Sequence, residues 1–443
     1  MNKTRLFLAE IEELQKSPVP EEVVARARLS LLDYIAVTAA GAQFQRDKIE
    51  KYKEFARPEE GEFTTIGVGK YALKEAVFLN GLNGHALDFD DGTNSGIIHL
   101  GSPIFSLLLP LAERYGIYIE KMLEAAIIGY ETSYTIAVSI QPGHKALGFH
   151  ATGTCGVLGA TIAASYMLEF SEEERFQAFS TACASATGML SVLDDGSELK
   201  PYNVAKTSLL ALTSIQLAKA GYRGNPDPLG SYRGFLKMMT GNNNTDIKPL
   251  LLNGTYAIMK SYTKPYASCR YTHPSVEAAI HMRGIVKPDD IQRIDIKTYS
   301  LAVTGHDHTD ILGSYSAKMS IPFATAVGLI YGKAGLQEFS DESVKNEYNL
   351  GLTKKIHVVQ DQKLSSEFPA IQAAIVTITK KDGSILSERV NFPKGEPENP
   401  LNEKEFRDRY NGLMNYARKK DSEKIYELIL NSNTKVCDVM SYL

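Results

Sequence analysis

The spacing of apolar residues changes twice along this chain, and these changes constrain the fold more than any other feature. Up to about residue 262 the spacing is that of amphipathic helices. After Lys264, segments such as Ile291–Tyr299 alternate apolar and polar residues as strands do, and from Asn402 the helical spacing returns. The sequence therefore predicts a mainly α fold with an inserted α+β domain. We expect a large helical domain from residues 1–262 and 396–443, and a smaller α+β lid domain from residues 263–395.

Punctuating residues predict several element boundaries. Gly41 is expected to end the helix that begins at Glu21. Ser102 is expected to be the N-cap of a later helix, and Ser171 with Glu174 has the spacing of a capping box. The run 151–168 is rich in small residues, which let helix backbones approach closely, so we expect it at the centre of a bundle.

Composition excludes several classes of protein. With 44% hydrophobic and 23% charged residues, the 443-residue chain is of ordinary globular type. The net charge of −4 gives no reason to expect nucleic acid or an anionic membrane as a partner. The four cysteines are scattered without paired spacing, so neither a disulfide framework nor a zinc site is expected. The N-terminus has the pattern of an amphipathic helix rather than a signal peptide, and a cytoplasmic location fits best.

The stretch HALDFDDGTNSGIIHLGSP, residues 85–103, concentrates polar chemistry between two helical runs. It holds three carboxylates (Asp88, Asp90 and Asp91), two histidines and a threonine. Such a loop on a rigid helical scaffold is a typical place for functional residues. The alternative for any single aspartate is that it accepts hydrogen bonds from loop amides or caps a helix end.

Two motif interpretations of this stretch fail. An EF-hand needs glycine at position six and glutamate at position twelve. Counted from Asp88, Gly92 falls at position five and His99 at position twelve. A D-x-D-G-T phosphotransfer motif that ends at Thr93 would need aspartate at position 89, where this chain has Phe89.

Four further segments place polar groups near expected helix ends. They are GHKALGFH with His150, SELKPYN with Lys200, KPYASCRYTH with Lys264, and SAKMS with Lys318. Taken singly, a Lys-Pro pair is more often a solvated surface feature, and a lone histidine is more often structural.

Taken together, these motifs resemble the MmgE/PrpD family. The similarity rests on NGLNGHALDFDD, GFHATGTCGVLGAT, the Lys200 segment, KPYASCRYTH and AKMSIPFATAVGLIYG, in the family's order, and covers essentially the whole chain. It implies a helical domain with an α+β lid, a homodimer, and a site between the domains that needs neither metal nor other cofactor. The family acts on small polycarboxylates. A 2-methylcitrate dehydratase-like hydro-lyase is the first expectation. The alternatives are an iminodisuccinate epimerase-like isomerase, a cis-aconitate decarboxylase-like lyase, and a non-catalytic polycarboxylate-binding homologue.

The resemblance also implies roles for individual residues. Those expected to be catalytic are Asp88, His99, His150 and His273. Those expected to bind substrate are Lys200, Lys264, Thr93, Arg270 and Lys318. The loop is about a residue longer than usual, so either Gly92 or Thr93 can occupy the family's threonine position. Two departures stand out: Asn203 replaces a common histidine, and Phe323 replaces a common tyrosine, which removes a phenol that could donate a proton.

The chemistry that these residue types suit is proton transfer next to a carboxylate. The carbanion would add charge to an anionic group, so the site needs cations as well as a base. His150 is the first choice of base, because a helix N-terminus would keep its imidazole neutral. His99 and His273 would then donate a proton or orient the substrate, with Asp88 as a competing base.

No catalytic metal is expected, because the histidines lack the i, i+4 spacing of a zinc helix. His306 and His308, beside Asp307, are the one local cluster that suggests a metal, and a solvated loop explains them as well.

Overall fold

The computed structural model describes residues 2–193, 197–242 and 244–443, and it divides into two compact units. Unit 1 consists of Met1–Ser191, Leu199–Ser261 and Phe406–Leu443, and unit 2 of Val192–Glu198 and Tyr262–Glu405. Helices dominate unit 1, whereas unit 2 combines helices with a four-stranded sheet, which confirms the predicted fold class. The exact domain limits expected above stay a prediction.

The first part of unit 1 is helical apart from one antiparallel hairpin. Its elements are α1 (Lys3–Gln15), α2 (Glu21–Phe44), α3 (Arg46–Ala56), β1 (Glu60–Thr65), β2 (Gly69–Tyr71), α4 (Leu73–His85), α5 (Gly101–Tyr115), α6 (Ile119–Ile140), α7 (Gly143–Ala146), α8 (Ala151–Thr154), α9 (Gly156–Met167), α10 (Glu172–Ser185), α11 (Lys200–Lys219) and α12 (Phe235–Thr240).

The elements of unit 2 alternate between helices and strands. They are α13 (His273–Met282), β3 (Ile291–Thr298), α14 (Ser300–Val303), α15 (Ser314–Met319), α16 (Ile321–Tyr331), α17 (Glu347–Thr353), β4 (Ile356–Gln360), α18 (Gln362–Glu367), β5 (Ala374–Lys380) and β6 (Ile385–Val390). Three further helices end the chain: α19 (Glu403–Tyr416), α20 (Ser422–Leu430) and α21 (Val436–Met440).

The sheet of unit 2 has the strand order β4-β3-β5-β6. β3 pairs parallel with β4 and antiparallel with β5, and β5 and β6 form a hairpin. Alternate residues of the central strands, such as Ile294, Ile296, Val376 and Ile378, are fully buried. They pack in one hydrophobic core with residues of α13 and α16, which is why these strands show the two-residue periodicity.

The glycine expected to end α2 lies inside that helix, so this boundary prediction was wrong. α2 continues to Phe44, and a Cβ added at Gly41 would lie 2.0 Å from the carbonyl oxygen of Asn83 on α4. Gly41 is therefore required for the close approach of α2 to α4 rather than for a helix stop.

The small-residue run forms two helices, α8 and α9, and α9 lies in the core as expected. α9 contacts α5, α6, α10 and α11. All its residues except Tyr166 are buried. The capping box at Ser171 and Glu174 is confirmed at the start of α10. Within the described residues, no helix is both long and apolar enough to cross a membrane.

Candidate active site

The acidic stretch forms a buried loop between α4 and α5. α4 ends at His85, and Asp88 then adopts a left-handed backbone conformation with φ of 50°. This conformation is uncommon for a residue with a side chain, and aspartate is among those that tolerate it best. Further along, the backbone N–H of Thr93 donates to the carbonyl of Ile98 at 2.9 Å and closes the loop on itself. The three aspartates consequently face different partners.

Ser102 is not the N-cap of α5, which contradicts the prediction. The helix begins at Gly101, two residues before the expected start at Pro103, and the capping position is Leu100. The Ser102 hydroxyl instead lies 2.7 Å from Oδ2 of Asp90, to which it donates. The hydroxyl therefore supports the loop carboxylate instead of capping the helix.

Asp91 anchors the start of α5. Its carboxylate accepts hydrogen bonds from the backbone N–H of Gly101 at 2.9 Å and from the hydroxyl of Tyr130 at 2.6 Å. Burial raises the pKa of Asp91 to about 6, although both hydrogen bonds act in the opposite direction. A Cβ at Gly101 would lie 2.5 Å from the Tyr130 hydroxyl, so only glycine fits there.

Asp90 orients a histidine that the sequence did not single out for a role. Nδ1 of His85 lies 2.8 and 2.9 Å from the two carboxylate oxygens of Asp90. The His85 ring packs edge-on against His99, with ring centroids 4.6 Å apart. Because the His85 side chain is 0% exposed, it supports the site from behind rather than meeting a substrate.

A backbone carbonyl determines which ring nitrogen of His99 carries the proton. Nδ1 lies 2.7 Å from the carbonyl oxygen of Asp91, which can only accept, so Nδ1 carries the proton in the neutral ring. Nε2 is then the nitrogen able to take up a proton. Oδ1 of Asp88 lies 3.9 Å from Nε2, and Oδ1 of Asp90 lies 3.6 Å from Nδ1. A proton taken up at Nε2 would add a positive charge close to these two carboxylates, which would stabilise it.

Lys200 and Asp88 form a buried ion pair. Lys200 is the first residue of α11, and its Nζ lies 2.6 Å from Oδ1 of Asp88. Both side chains are buried, so the lysine is not the solvated surface residue that an isolated Lys-Pro suggests. An ammonium has three donors, so Lys200 can hold Asp88 and also bind an anion.

His150 directly precedes α8, as the sequence indicated, but this helix has only four residues. The pKa of His150 lies well below its ordinary value, first because of burial and then because of the nearby Lys200. The direction agrees with the expectation, whereas burial replaces the helix N-terminus as the leading cause. Nδ1 of His150 lies 3.0 Å from Nδ2 of Asn203 on α11.

Thr93, a predicted substrate ligand, lies in the same loop and is buried. Its Oγ1 has no hydrogen-bond partner among the described residues. Buried hydroxyls are rarely left without a partner. An oxygen atom of a bound substrate would satisfy it.

The loop also has the geometry of a cation site. Ligand atoms from His85, Asp88, Asp90 and His99 lie within 4.8 Å of one another. The ammonium of Lys200 already contacts Asp88, and a positive charge there disfavours a metal ion at the same carboxylate. The expectation of a metal-independent site stays a prediction.

The other predicted site residues lie in unit 2, and all of them are buried. The guanidinium of Arg270 forms an ion pair with Glu396. Nε2 of His273 lies 3.2 Å from the carbonyl oxygen of Ser268. Lys264 and Lys318 are each less than 3% exposed, which is rare for lysine without a specific role. The ion pair gives Arg270 a structural function within this unit.

The two histidines that suggested a metal are both held by protein groups. Nδ1 of His306 lies 2.8 Å from the carbonyl oxygen of Thr304, and Nε2 of His308 lies 3.1 Å from that of Ser316. Each ring is therefore held by a hydrogen bond to a backbone carbonyl of unit 2.

Two family models match this chain. The MmgE/PrpD N-terminal domain matches residues 8–248, and the MmgE/PrpD C-terminal domain matches residues 266–434. The chain belongs to the MmgE/PrpD family. This confirms the resemblance drawn from the motifs, which lie within these two matched ranges except for Lys264 and Pro265 at the start of KPYASCRYTH.

Curated relatives of this MmgE/PrpD chain include two kinds of lyase. A cis-aconitate decarboxylase of Aspergillus terreus is 26% identical, over 88% of this chain and 85% of the relative. The cis-aconitate decarboxylase of Mus musculus is 22% identical, over 92% and 86%. A mitochondrial 2-methylcitrate dehydratase of Yarrowia lipolytica is 25% identical, over 54% of this chain and 48% of the relative. The prediction of an MmgE/PrpD-type enzyme is confirmed at this level. The homodimer, the cytoplasmic location and the individual residue roles stay predictions.

Proposed function

We propose that this MmgE/PrpD enzyme eliminates water from a small hydroxy di- or tricarboxylic acid, as a 2-methylcitrate dehydratase-like hydro-lyase. The observation that carries this proposal is the contact of His99 Nδ1 with the backbone carbonyl of Asp91. The Nδ1–H of His99 donates to the carbonyl oxygen of Asp91. In the neutral ring Nε2 therefore carries no proton and can accept one. A proton acceptor is required for elimination and is not required for simple loss of CO₂.

His99 is the base in this proposal in preference to His150. The His99 side chain is 11% exposed, whereas its neighbour His85 is fully enclosed. His99 also has two flanking carboxylates, which stabilise the positive charge that it gains. His150 has Lys200 nearby, which opposes such a gain.

The step is balanced without a cofactor. Nε2 of His99 takes the proton from the carbon next to a substrate carboxylate, and the electron pair of that C–H bond forms the C=C bond. The C–O bond on the neighbouring carbon breaks, and the departing hydroxide takes the proton back from the His99 imidazolium and leaves as water. Asp88 and Asp90 stabilise the imidazolium between these two events.

The negative charge of the substrate must be met by cations. Lys200 is placed for this, because its ammonium lies beside Asp88 in the loop and an ammonium has three donors. Lys264 and Lys318 are proposed as further carboxylate ligands, on the basis of their burial and of the family motifs. Thr93 Oγ1 is proposed to bond the substrate within the loop.

A second candidate is decarboxylation of a cis-aconitate-like acid. It is favoured by the relatives with that name, whose alignments cover most of this chain. In that reaction the site would only supply a proton to the carbon that loses CO₂. Epimerisation of an iminodisuccinate-like acid needs the same base as elimination, and it differs in the face to which the proton returns.

The test is incubation of the enzyme in D₂O with 2-methylcitrate, citrate, cis-aconitate or iminodisuccinate, followed by NMR. Elimination gives a vinyl signal, decarboxylation gives loss of CO₂, and epimerisation gives deuterium with inversion and no alkene. We expect the vinyl signal. His99→Gln should abolish it, because glutamine cannot take up the proton, and Lys200→Met should mainly raise KM.

The outcomes separate the alternatives. If loss of CO₂ is the main reaction, the enzyme is a decarboxylase and the proposed elimination is wrong. Binding of an acid in calorimetry without any turnover or deuterium exchange would identify a non-catalytic homologue. An unchanged rate in His99→Gln would show that His99 is not the base, whichever product forms.

A further inference from the structure

Asn203 stands at a position where the motif of the family often has a histidine, and it contacts a proposed catalytic residue. It lies in the first turn of α11, three residues after Lys200, and is 1% exposed. Its amide nitrogen is 3.0 Å from Nδ1 of His150. Both partners are buried, so this hydrogen bond is shielded from water and is strong enough to select one form of the ring.

The contact decides where the neutral ring of His150 carries its proton. An amide nitrogen only donates, so Nδ1 of His150 accepts and Nε2 carries the proton. In His99 the arrangement is the reverse, because a carbonyl oxygen faces Nδ1. The two histidines therefore present opposite groups: His99 an acceptor, His150 an N–H donor.

A neutral imidazole that carries its proton on Nε2 is neither a base nor a ready acid at that atom. Loss of this proton would produce an imidazolate, and gain of a second proton would place an N–H against the Asn203 amide. Such a ring serves as a fixed hydrogen-bond donor to negative charge that develops on the substrate.

We infer that Asn203 is a positioning residue that holds His150 as a neutral Nε2–H donor, aimed at charge on the substrate rather than at its C–H bond. The role of His150 towards the substrate rests on the proposed function. The assignment of the tautomer does not depend on it.

The electrostatic surroundings of His150 support the neutral ring. The groups that act on it are Lys200 from α11, His85 from the end of α4, and His99 and Asp88 from the loop. Lys200 and the two histidines disfavour a positive charge on His150, and Asp88 alone favours it. Asparagine adds no titrating group, whereas a histidine at position 203 would.

The direct test is NMR of the full-length protein labelled with ¹⁵N-histidine, at pH 7.5 and without substrate. Long-range ¹H–¹⁵N spectra distinguish the Nδ1–H, Nε2–H and doubly protonated rings, and His150→Gln identifies the His150 signal among nine histidines. We expect Nε2–H in the wild type. Asn203→Asp replaces the donor by an acceptor, so we expect Nδ1–H or the doubly protonated ring.

An Nδ1–H signal in the wild type, or a tautomer unchanged by Asn203→Asp, would overturn the inference. If Asn203→Asp does not fold, Asn203→Leu removes the donor with little change of shape and should give a mixture of tautomers; a pure Nε2–H ring there would also overturn it. These readouts need no turnover, so they are independent of whether the proposed reaction is correct.

A kinetic comparison tests the role of the donor. His150→Gln retains an N–H donor and should keep kcat within about tenfold of the wild type, whereas His150→Ala should lose about a hundredfold. Equal losses in the two variants would contradict a donor role. Asn203→Asp should lower kcat more than it raises KM, and it should add a titration to the pH profile of kcat/KM.

Discussion

Replacement of Asp91 by asparagine should stabilise the protein, and increasingly so as the pH rises. The carboxyl of Asp91 is buried and has a pKa of about 6, because burial penalises its charged form. Asparagine keeps both hydrogen bonds: its carbonyl oxygen can accept from the Gly101 N–H, and its amide can donate to the Tyr130 oxygen. The substitution therefore removes a buried charge and keeps both contacts, with the Tyr130 oxygen accepting a hydrogen bond where its hydroxyl donated one.

The size of the effect follows from the pKa. The folded value of about 6 lies above the ordinary 3.8, so the folded chain binds this proton more tightly than the unfolded chain. The associated stability is fully present below the ordinary pKa and is lost as pH rises through 6. At about 1.36 kcal/mol per pKa unit, the loss is about 3 kcal/mol at pH 8 and about half of that at pH 5.

The assay is urea unfolding followed by far-ultraviolet circular dichroism, for wild type and Asp91→Asn between pH 5 and pH 8. The difference in free energy of unfolding should shift in favour of Asp91→Asn by about 1–2 kcal/mol over this range. Any constant offset from packing cancels in this comparison. Asp47→Asn, an exposed position in the same unit, is the matched control and should show no such trend. A difference that is independent of pH, or that shrinks as pH rises, would refute the reasoning.

Two other predictions concern the support and the chemistry of the loop. Arg409 bonds Asp33 at 2.7 Å and the carbonyl of Phe89 at 2.8 Å, so Arg409→Leu should cost about 3–5 kcal/mol in urea unfolding and lower kcat. The double variant Arg409→Leu with Asp33→Asn should recover part of the stability, and no recovery would show that the buried charge of Asp33 is not the cause. Exhaustive chelation should leave activity intact, because Lys200 already meets the charge of Asp88; activity lost to the chelator and restored by one added divalent ion would contradict this.

Helices with uninterrupted apolar spacing could be predicted closely from the sequence, and those with packing glycines could not. α6 occupies Ile119–Ile140, a run in which apolar residues recur at helical spacing. α2 runs three residues beyond Gly41, because that glycine faces the backbone of Asn83. A glycine used for close packing and a glycine that ends a helix look the same in a single sequence.

The acidic loop could be predicted as a candidate site, whereas its internal pairing could not. Recognisable motifs contain Asp88, His99 and Lys200, and the structure brings these three side chains together. The pairing of His85 with Asp90 depends on how the chain turns after α4. Asn203 and His150 are 53 residues apart in sequence, and their contact depends on the packing of α11 beside α8.

The left-handed turn at Asp88 explains how one short loop can bury three carboxylates. With φ of 50° at Asp88, the conformation of α4, which ends at His85, does not continue into the loop, and the three carboxylates have different partners. Asp88 meets Lys200, Asp90 meets His85 and Ser102, and Asp91 meets Tyr130 and the start of α5. Each charge has its own donors, which lowers the cost of burial. The same separation means that the three aspartates are not interchangeable: loss of Asp91 should change stability, whereas loss of Asp88 should change the charge that surrounds His99 and therefore the proton transfer itself.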